Sequence, residues 1–337
     1  MLFKKKLIIS FLLIQLILLS NCFSFNSVKL LDLPPKGIEL TEHLISGTER
    51  DKILIISIDG VISDHGSSDG FGFSSKESMV ARIKEELSKA SLDSDVKGLI
   101  LKINSPGGGV TPSDIIYKEI KSFKETKRIP VVALFMDTAA SGGYYVAMSA
   151  DKIVAHPTTV TGSIGVVIAG INIRKGLEKI GVEDQSIVSG ENKTILSPLQ
   201  EMRPDQKEII QSIVNDMYER FLGIVSENRS HIPKEKLRKL ADGRIYTASQ
   251  AEKEKLIDKI GYSRDAIDLI KSLPSYNRNP ASINNDPKII TYSLNKKPIK
   301  NIYQIDEKVI QEKSALQMIL NHLDRDRETL FMYLWTY

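Results

Sequence analysis

The chain holds 337 residues, 42% of them hydrophobic and 26% charged, with 46 basic against 42 acidic side chains and a formal net charge of +4. Those proportions exclude a disordered or fibrous protein and leave room for one large domain or two ordinary ones around a buried core. Lys4, Lys5 and Lys6 supply three of the four surplus charges, so the body is nearly neutral and offers no clustered cations to a nucleic-acid backbone. No nucleic-acid partner is expected.

Residues 1–22, MLFKKKLIISFLLIQLILLSNC, combine a cationic start with an apolar run from Leu7 to Leu19 broken only by Ser10 and Gln15. That pattern predicts a secretory signal peptide or a membrane anchor. The run is short for a bilayer span, which needs about 20 residues, unless it continues through Cys22, Phe23 and Phe25. The cationic end stays cytoplasmic, which places the body outside the cytoplasm, on the periplasmic side of a cell envelope. Leu-Ser-Asn-Cys resembles a bacterial lipoprotein cleavage box with Asn in place of a small residue, so Cys22 is a candidate lipidation site; the alternative is a free thiol at the end of an uncleaved anchor. Cys22 is also the only cysteine, and the five histidines, at 43, 65, 156, 231 and 322, show no metal-ligand spacing. Neither a metal nor a cofactor is expected.

Residues 23–50 read as a linker. From Lys52 the chain alternates short β-branched runs with helical spacing: KILIISI (52–58), then Met79, Ile83 and Leu87 at i, i+4, i+8, then KGLILKI (97–103). PVVALF (130–135), KIVA (152–155), IGVVIA (164–169) and EDQSIV (183–188) extend the series of expected strands. The alternation predicts an α/β fold of repeated strand-helix units with a mostly parallel sheet. Over 205–226, Ile209, Ile213, Met217, Phe221 and Val225 form one stripe, which predicts a long amphipathic helix packed on the core. Further helices are expected at 234–240, 247–254 and 263–272, closing a compact domain over 51–272. Residues 273–305 are Pro-, Asn- and Ser-rich and read as a flexible linker. The tail, 306–337, ends in FMYLWTY and reads as a docking helix.

Three segments could carry chemistry. Asn104-Ser105-Pro106-Gly107-Gly108-Gly109 follows a strand and precedes a helix; consecutive glycines expose backbone N–H groups that can hold an anion, and the alternative is a tight turn. The phosphate-loop and dinucleotide spacings are absent. Ala139-Ala140-Ser141-Gly142-Gly143 sits at a strand-to-helix junction, where Ser141 is either a projected nucleophile or a helix cap. A nucleophilic serine needs a base, and His156 lies in HPTT with no neighbouring sequence to orient it. Ser-Lys pairs replace imidazole by an amine whose pKa falls from about 10.4 toward about 7–8. Lys193, in Ser189-Gly190-Glu191-Asn192-Lys193-Thr194, follows an expected strand and is either that base or a solvated surface charge.

NSPGGGV, ASGGYY, TGSIGV and SGENKT, in that order and spacing, resemble the signal peptide peptidase A family, membrane-tethered Ser-Lys proteases of the wider Clp/crotonase superfamily. The resemblance covers roughly residues 50–272 and is to the short, single-copy form. It implies a Clp/crotonase-like fold, Ser141 as nucleophile, Lys193 as general base, Ser163 as the accessory serine that orients the amine, and Gly108 as an oxyanion-hole glycine. Gly142, which follows the nucleophile, is the natural second donor. It also implies peptide substrates, released signal peptides and other apolar membrane-derived peptides among them. In the tandem form serine and lysine lie on different copies, so a single-copy chain is expected to complete its site in a ring-like homo-oligomer. The rivals are a crotonase-type acyl-CoA enzyme, which needs no Ser-Lys pair, and an inactive envelope scaffold.

Overall fold

A computed structural model describes residues 40–68, 75–76, 78–282, 284–294, 297–305 and 332–335. The expected signal segment, Cys22 and most of the tail lie outside these residues. Among the described residues no helix is long and apolar enough to cross a membrane.

In chain order the elements are β1 (Thr41–Ser46), β2 (Lys52–Asp59), α1 (Met79–Leu92), β3 (Val96–Ser105), β4 (Gly107–Gly109), α2 (Val110–Lys127), β5 (Val131–Ala140), α3 (Gly142–Ala147), β6 (Lys152–Ala155) and β7 (Val160–Gly162). There follow α4 (Arg174–Glu178), α5 (Pro204–Asn228), α6 (Lys234–Leu240), β8 (Ile245–Thr247), α7 (Ala248–Lys253), β9 (Lys259–Ile260), α8 (Ser263–Ser272), β10 (Lys288–Ser293) and β11 (Met332–Leu334). The main sheet runs β1-β10-β2-β3-β5-β6-β9, with β7 on the end of β5 and β8 on β7. Only β1 on β10 and β8 on β7 are antiparallel. The α/β, mostly parallel architecture expected from the alternation is the one observed.

Parallel strands covered on both faces need apolar side chains on both. Leu54, Ile56, Leu99, Leu101 and Ile103 face the larger cluster with the helices α1 and α2, while Ile53, Ile55, Ile100 and Val132 face a smaller one with Ala266 and Ile270 of α8. This is why KILIISI and KGLILKI read as unbroken apolar runs. The start of α1 is fixed by Ser78, whose side chain accepts from the Ala81 N–H at 3.1 Å.

Four expectations need correction. The stretch read as a linker over 23–50 contains β1, and that over 273–305 contains β10, which lies in the sheet between β1 and β2. Their pairing joins residues more than 230 positions apart, such as Thr41 with Ser293, so a polar local composition hid a long-range partnership. The segments 164–169 and 183–188 are not strands: Val167 makes one isolated bridge, and 183–188 has no ladder. No residue from 165 to 205 is buried, and beyond the bridge at Val167 this arm forms no ladder among the described residues. On α5 the apolar stripe is core only in its second half: Phe221 and Val225 are buried, whereas Ile209 and Ile213 are 41% and 36% exposed. At the tail, the described residues form a strand, β11, where a helix was expected.

Candidate active site

Strands β5 and β7 run parallel with Ala140 opposite Gly162, and the Ser141 N–H donates to the Gly162 carbonyl at 2.8 Å. The next residue on each chain is a serine, so Ser141 and Ser163 leave the sheet side by side at its carboxyl end, about one strand spacing of 4.8 Å apart. Ser141 is 1% exposed and Ser163 7%. Both have positive φ, 51° and 48°. With ψ at −115°, Ser141 occupies the first-corner conformation of a type II′ turn, which glycine dominates. Its hydroxyl makes no capping bond to α3, so the helix-cap alternative is not what the chain adopts. The strained serine thus carries a hydroxyl with no capping role at the carboxyl end of the sheet.

The glycine loop is locked beneath it. The Ser105 hydroxyl donates to the Gly60 carbonyl at 2.6 Å and accepts from the Gly107 N–H at 3.1 Å. Ile62 takes the inner edge of β4: its N–H donates to Gly107 and its carbonyl accepts from Gly109, both at 2.9 Å. Alternation along a strand then turns the N–H and C=O of Gly108 to the opposite edge. A Cβ at Gly108 would lie 2.0 Å from the Ile62 carbonyl oxygen, and one at Gly142 would lie 3.1 Å from the Gly108 nitrogen. Glycine is therefore required at 108 by space, and the two peptide N–H groups beside Ser141 are near neighbours. Two convergent donors next to a serine can hold the oxyanion of an acyl-transfer intermediate.

The outer edge of β4 is occupied by the chain's own tail. Strand β11 pairs antiparallel with it, Tyr333 opposite Gly108, and the Trp335 N–H donates to the Pro106 carbonyl at 2.9 Å. On its other side Met332 exchanges two bonds with Val167, at 3.0 and 3.1 Å. Since Met332 turns its peptide groups to Val167, Tyr333 turns its own to Gly108. The Tyr333 carbonyl oxygen lies 3.1 Å from where a Cβ on Gly142 would sit, between the two candidate oxyanion donors. A peptide held as an added strand on both edges, one carbonyl aimed at those donors, is how a groove presents a bond for cleavage.

Lys193 is not part of this cluster within one chain. It stands exposed on the arm, with its N–H donating to the Gly190 carbonyl at 3.0 Å, and no hydrogen bond joins it to Ser141 or Ser163. Its loop is braced from below by Gln206, whose side chain donates to the Glu191 carbonyl at 2.9 Å. His156 sits apart as well, paired with Thr158 at 2.8 Å and edge-on to Tyr262. Sequence reasoning missed Val167 and Tyr333 as groove residues; the aromatic run FMYLWTY was visible, but nothing local ties it to Gly108.

Residues 123–276 match the model for peptidase family S49, and residues 71–161 match that for Clp protease. A relative from Enterococcus faecium named as a signal peptide peptidase SppA is 41% identical over 234 residues, 69% of this chain and 67% of its own length. The chain belongs to peptidase family S49. It is a serine-type peptidase, with the Clp/crotonase-like fold that its parallel sheet and second family match indicate. Protease 4 of Haemophilus influenzae is 35% identical over 245 residues, 72% of this chain but 38% of that longer protein. Among solved structures, a ClpP1 mutant from Listeria monocytogenes aligns with a TM-score of 0.41 at 17% identity, over 64% of this chain and 94% of that one. A peptidase family leaves the crotonase-type acyl-CoA reading without support.

Proposed function

We propose that this S49 peptidase is a membrane-tethered endopeptidase in which Ser141 is the nucleophile and Lys193, contributed by a neighbouring copy, is the general base. Ser163 orients the amine, and the N–H groups of Gly108 and Gly142 receive the oxyanion. The observation that carries this reading is the Tyr333 carbonyl lying against Gly108 and Gly142 beside the strained Ser141. The arm supports the shared site: it carries Lys193, buries no residue between 165 and 205, and exposes Ile180 at 72% and Ile187 at 100%. An apolar arm without a core of its own is stabilised by docking, and a second copy supplies both the docking surface and the serine that the lysine needs.

The free amine of Lys193 takes the Ser141 proton as Oγ attacks the peptide carbonyl. The Ser141 Oγ–C bond forms while the carbonyl π pair moves to the oxygen facing Gly108 and Gly142. Collapse expels the leaving nitrogen, which takes the proton from the Lys193 ammonium. Water, deprotonated by the same amine, then hydrolyses the acyl-enzyme. Apolar peptides released at a membrane, signal peptides among them, suit an enzyme tethered by residues 1–22, whether through an uncleaved anchor or a lipidated Cys22, with its body outside the cytoplasm in a ring-like homo-oligomer. The test mixes Ser141→Ala with Lys193→Ala subunits and follows peptide cleavage and fluorophosphonate labelling of Ser141. Activity regained in the mixture supports the shared dyad; two inactive variants that remain inactive together refute it.

A further inference from the structure

Between Pro204 and Arg220 helix α5 buries a single side chain, and it is polar: Gln206, 4% exposed. A buried amide is unfavourable unless both of its ends are matched, and here both are. Its Oε1 accepts from the Arg203 N–H at 3.1 Å, which caps the start of the helix. Its Nε2 donates to the Glu191 carbonyl at 2.9 Å, 15 positions back along the chain and two residues before Lys193. Glutamate would make the first bond as well as glutamine does; the second needs the amide N–H. The loop passes that grip on to the lysine. The Lys193 N–H closes a turn onto Gly190 at 3.0 Å, and the Ile195 N–H closes the next onto Asn192 at 3.2 Å. Arg203 adds contacts to the Glu191 carbonyl at 3.3 Å and to the Asn192 side chain at 3.2 Å. The Arg203 side chain is 41% exposed, so water competes for those contacts. The Gln206 bond is shielded, which makes it the firmer of the two.

We infer that Gln206 is a positioning residue for the reaction: it fixes the 190–195 loop so that the Lys193 amine arrives aligned with Ser141 of the neighbouring copy. The inference rests on the shared Ser-Lys site proposed above and adds the group that places its base. Lys193 is a long side chain on an exposed arm, and it must reach a serine of another subunit. Its amine comes within hydrogen-bond reach only if the backbone that carries it is already in place, and a misplacement of about 1 Å at a reacting group costs about 100-fold in rate. The strand that receives the peptide, β4, makes no bond to Gln206. Loss of the Glu191 bond therefore lowers kcat and leaves KM in place.

Two substitutions separate this role from the helix cap. Gln206→Glu keeps the acceptor that caps α5 and removes the donor to Glu191, with the Arg203 guanidinium on hand to balance the new charge; Gln206→Met removes both bonds. Peptide cleavage by each full chain is measured beside a urea melt, sedimentation velocity and hydrogen exchange of the 190–195 segment. In both variants kcat is expected to fall by about 10-fold or more, KM to stay within about 2-fold, and exchange at 190–195 to quicken by about 10-fold or more. Gln206→Glu is expected to melt and assemble as the wild type does. A Gln206→Glu chain that cleaves at the wild-type rate leaves Gln206 a helix cap and overturns the inference, as does a loss of kcat no larger than the loss of folded, assembled protein. Mixed subunits test the direction of the effect. Gln206→Glu is placed first on the Ser141→Ala chain, which gives the lysine, and then on the Lys193→Ala chain, which gives the serine. The first placement should cost about 10-fold more activity than the second; equal losses overturn the inference. If the mixture without Gln206→Glu is itself inactive, the shared dyad falls, while a lower kcat with faster exchange at 190–195 in the unmixed variants still assigns Gln206 to the loop.

Discussion

Strain at Ser141 makes a quantitative claim about stability. A non-glycine residue at φ 51°, ψ −115° sits in a region where side chains cost up to about 3 kcal/mol. Ser141→Gly removes that cost, but it also removes a buried β-carbon worth about 0.8 kcal/mol and frees backbone in the unfolded chain worth about 0.7 kcal/mol. At the upper end of that strain the net is a stabilisation of about 1.5 kcal/mol. For a domain of about 250 residues that raises Tm by roughly 3–6 °C. Ser141→Ala is the control: it loses the hydroxyl but keeps the β-carbon and therefore the strain. Differential scanning calorimetry on wild type and both variants reads the difference, and fluorophosphonate labelling verifies that both are silent at this position. A glycine variant no more stable than the alanine variant would show that Ser141 is relaxed where it sits, and the case for a projected nucleophile would lose its physical basis.

Three further outcomes follow from the same geometry. Gly108→Ala places a methyl 2.0 Å from the Ile62 carbonyl oxygen, so β4 must shift; cleavage falls by about 100-fold or more while stability drops by only about 1–3 kcal/mol, read by peptide kinetics beside a urea melt. Ile187→Glu, at a fully exposed arm position, leaves the melting of the single chain unchanged and abolishes both assembly and activity, as sedimentation velocity and peptide cleavage show; an active variant that still assembles would remove the arm from the interface. Burial works to raise the Asp258 carboxyl, but Arg229 at 2.7 Å, the Ile153 N–H at 2.8 Å and Lys152 at 3.0 Å outweigh it and hold it below the usual carboxylate range. Its contribution is therefore whole above the unfolded value of about pH 4 and drains away as pH falls through the folded one. Asp258→Asn costs about 3 kcal/mol near neutrality, and the gap to wild type closes in acid; a gap that widens on acidification contradicts the sign.

What could be read from the sequence follows from how far its causes reach. Strands β2, β3 and β5 were visible because burial on both faces demands consecutive apolar residues, and Ser141 stood out because a strand, a serine and two glycines in sequence are enough to predict the junction. Strand β10 was invisible for the opposite reason. Its six residues, KIITYS, lie in an Asn- and Pro-rich stretch, and what makes them a strand is the edge of β2, which begins 236 positions earlier. Tyr333 is the same case: its role depends on Gly108, which no periodicity connects to it. The arm reverses the error. EDQSIV has the composition of a strand and forms none, because β propensity expresses the fit to a neighbouring edge and no edge pairs with 183–188 among the described residues. Such a segment, with Ile187 fully exposed, offers an apolar surface for docking. Lys193 is carried on that segment, so the proposed base for Ser141 and the surface offered for docking belong to the same arm, residues 165–205. One docking event with a second copy would satisfy both, which is why the arm is the place to look for the subunit contact.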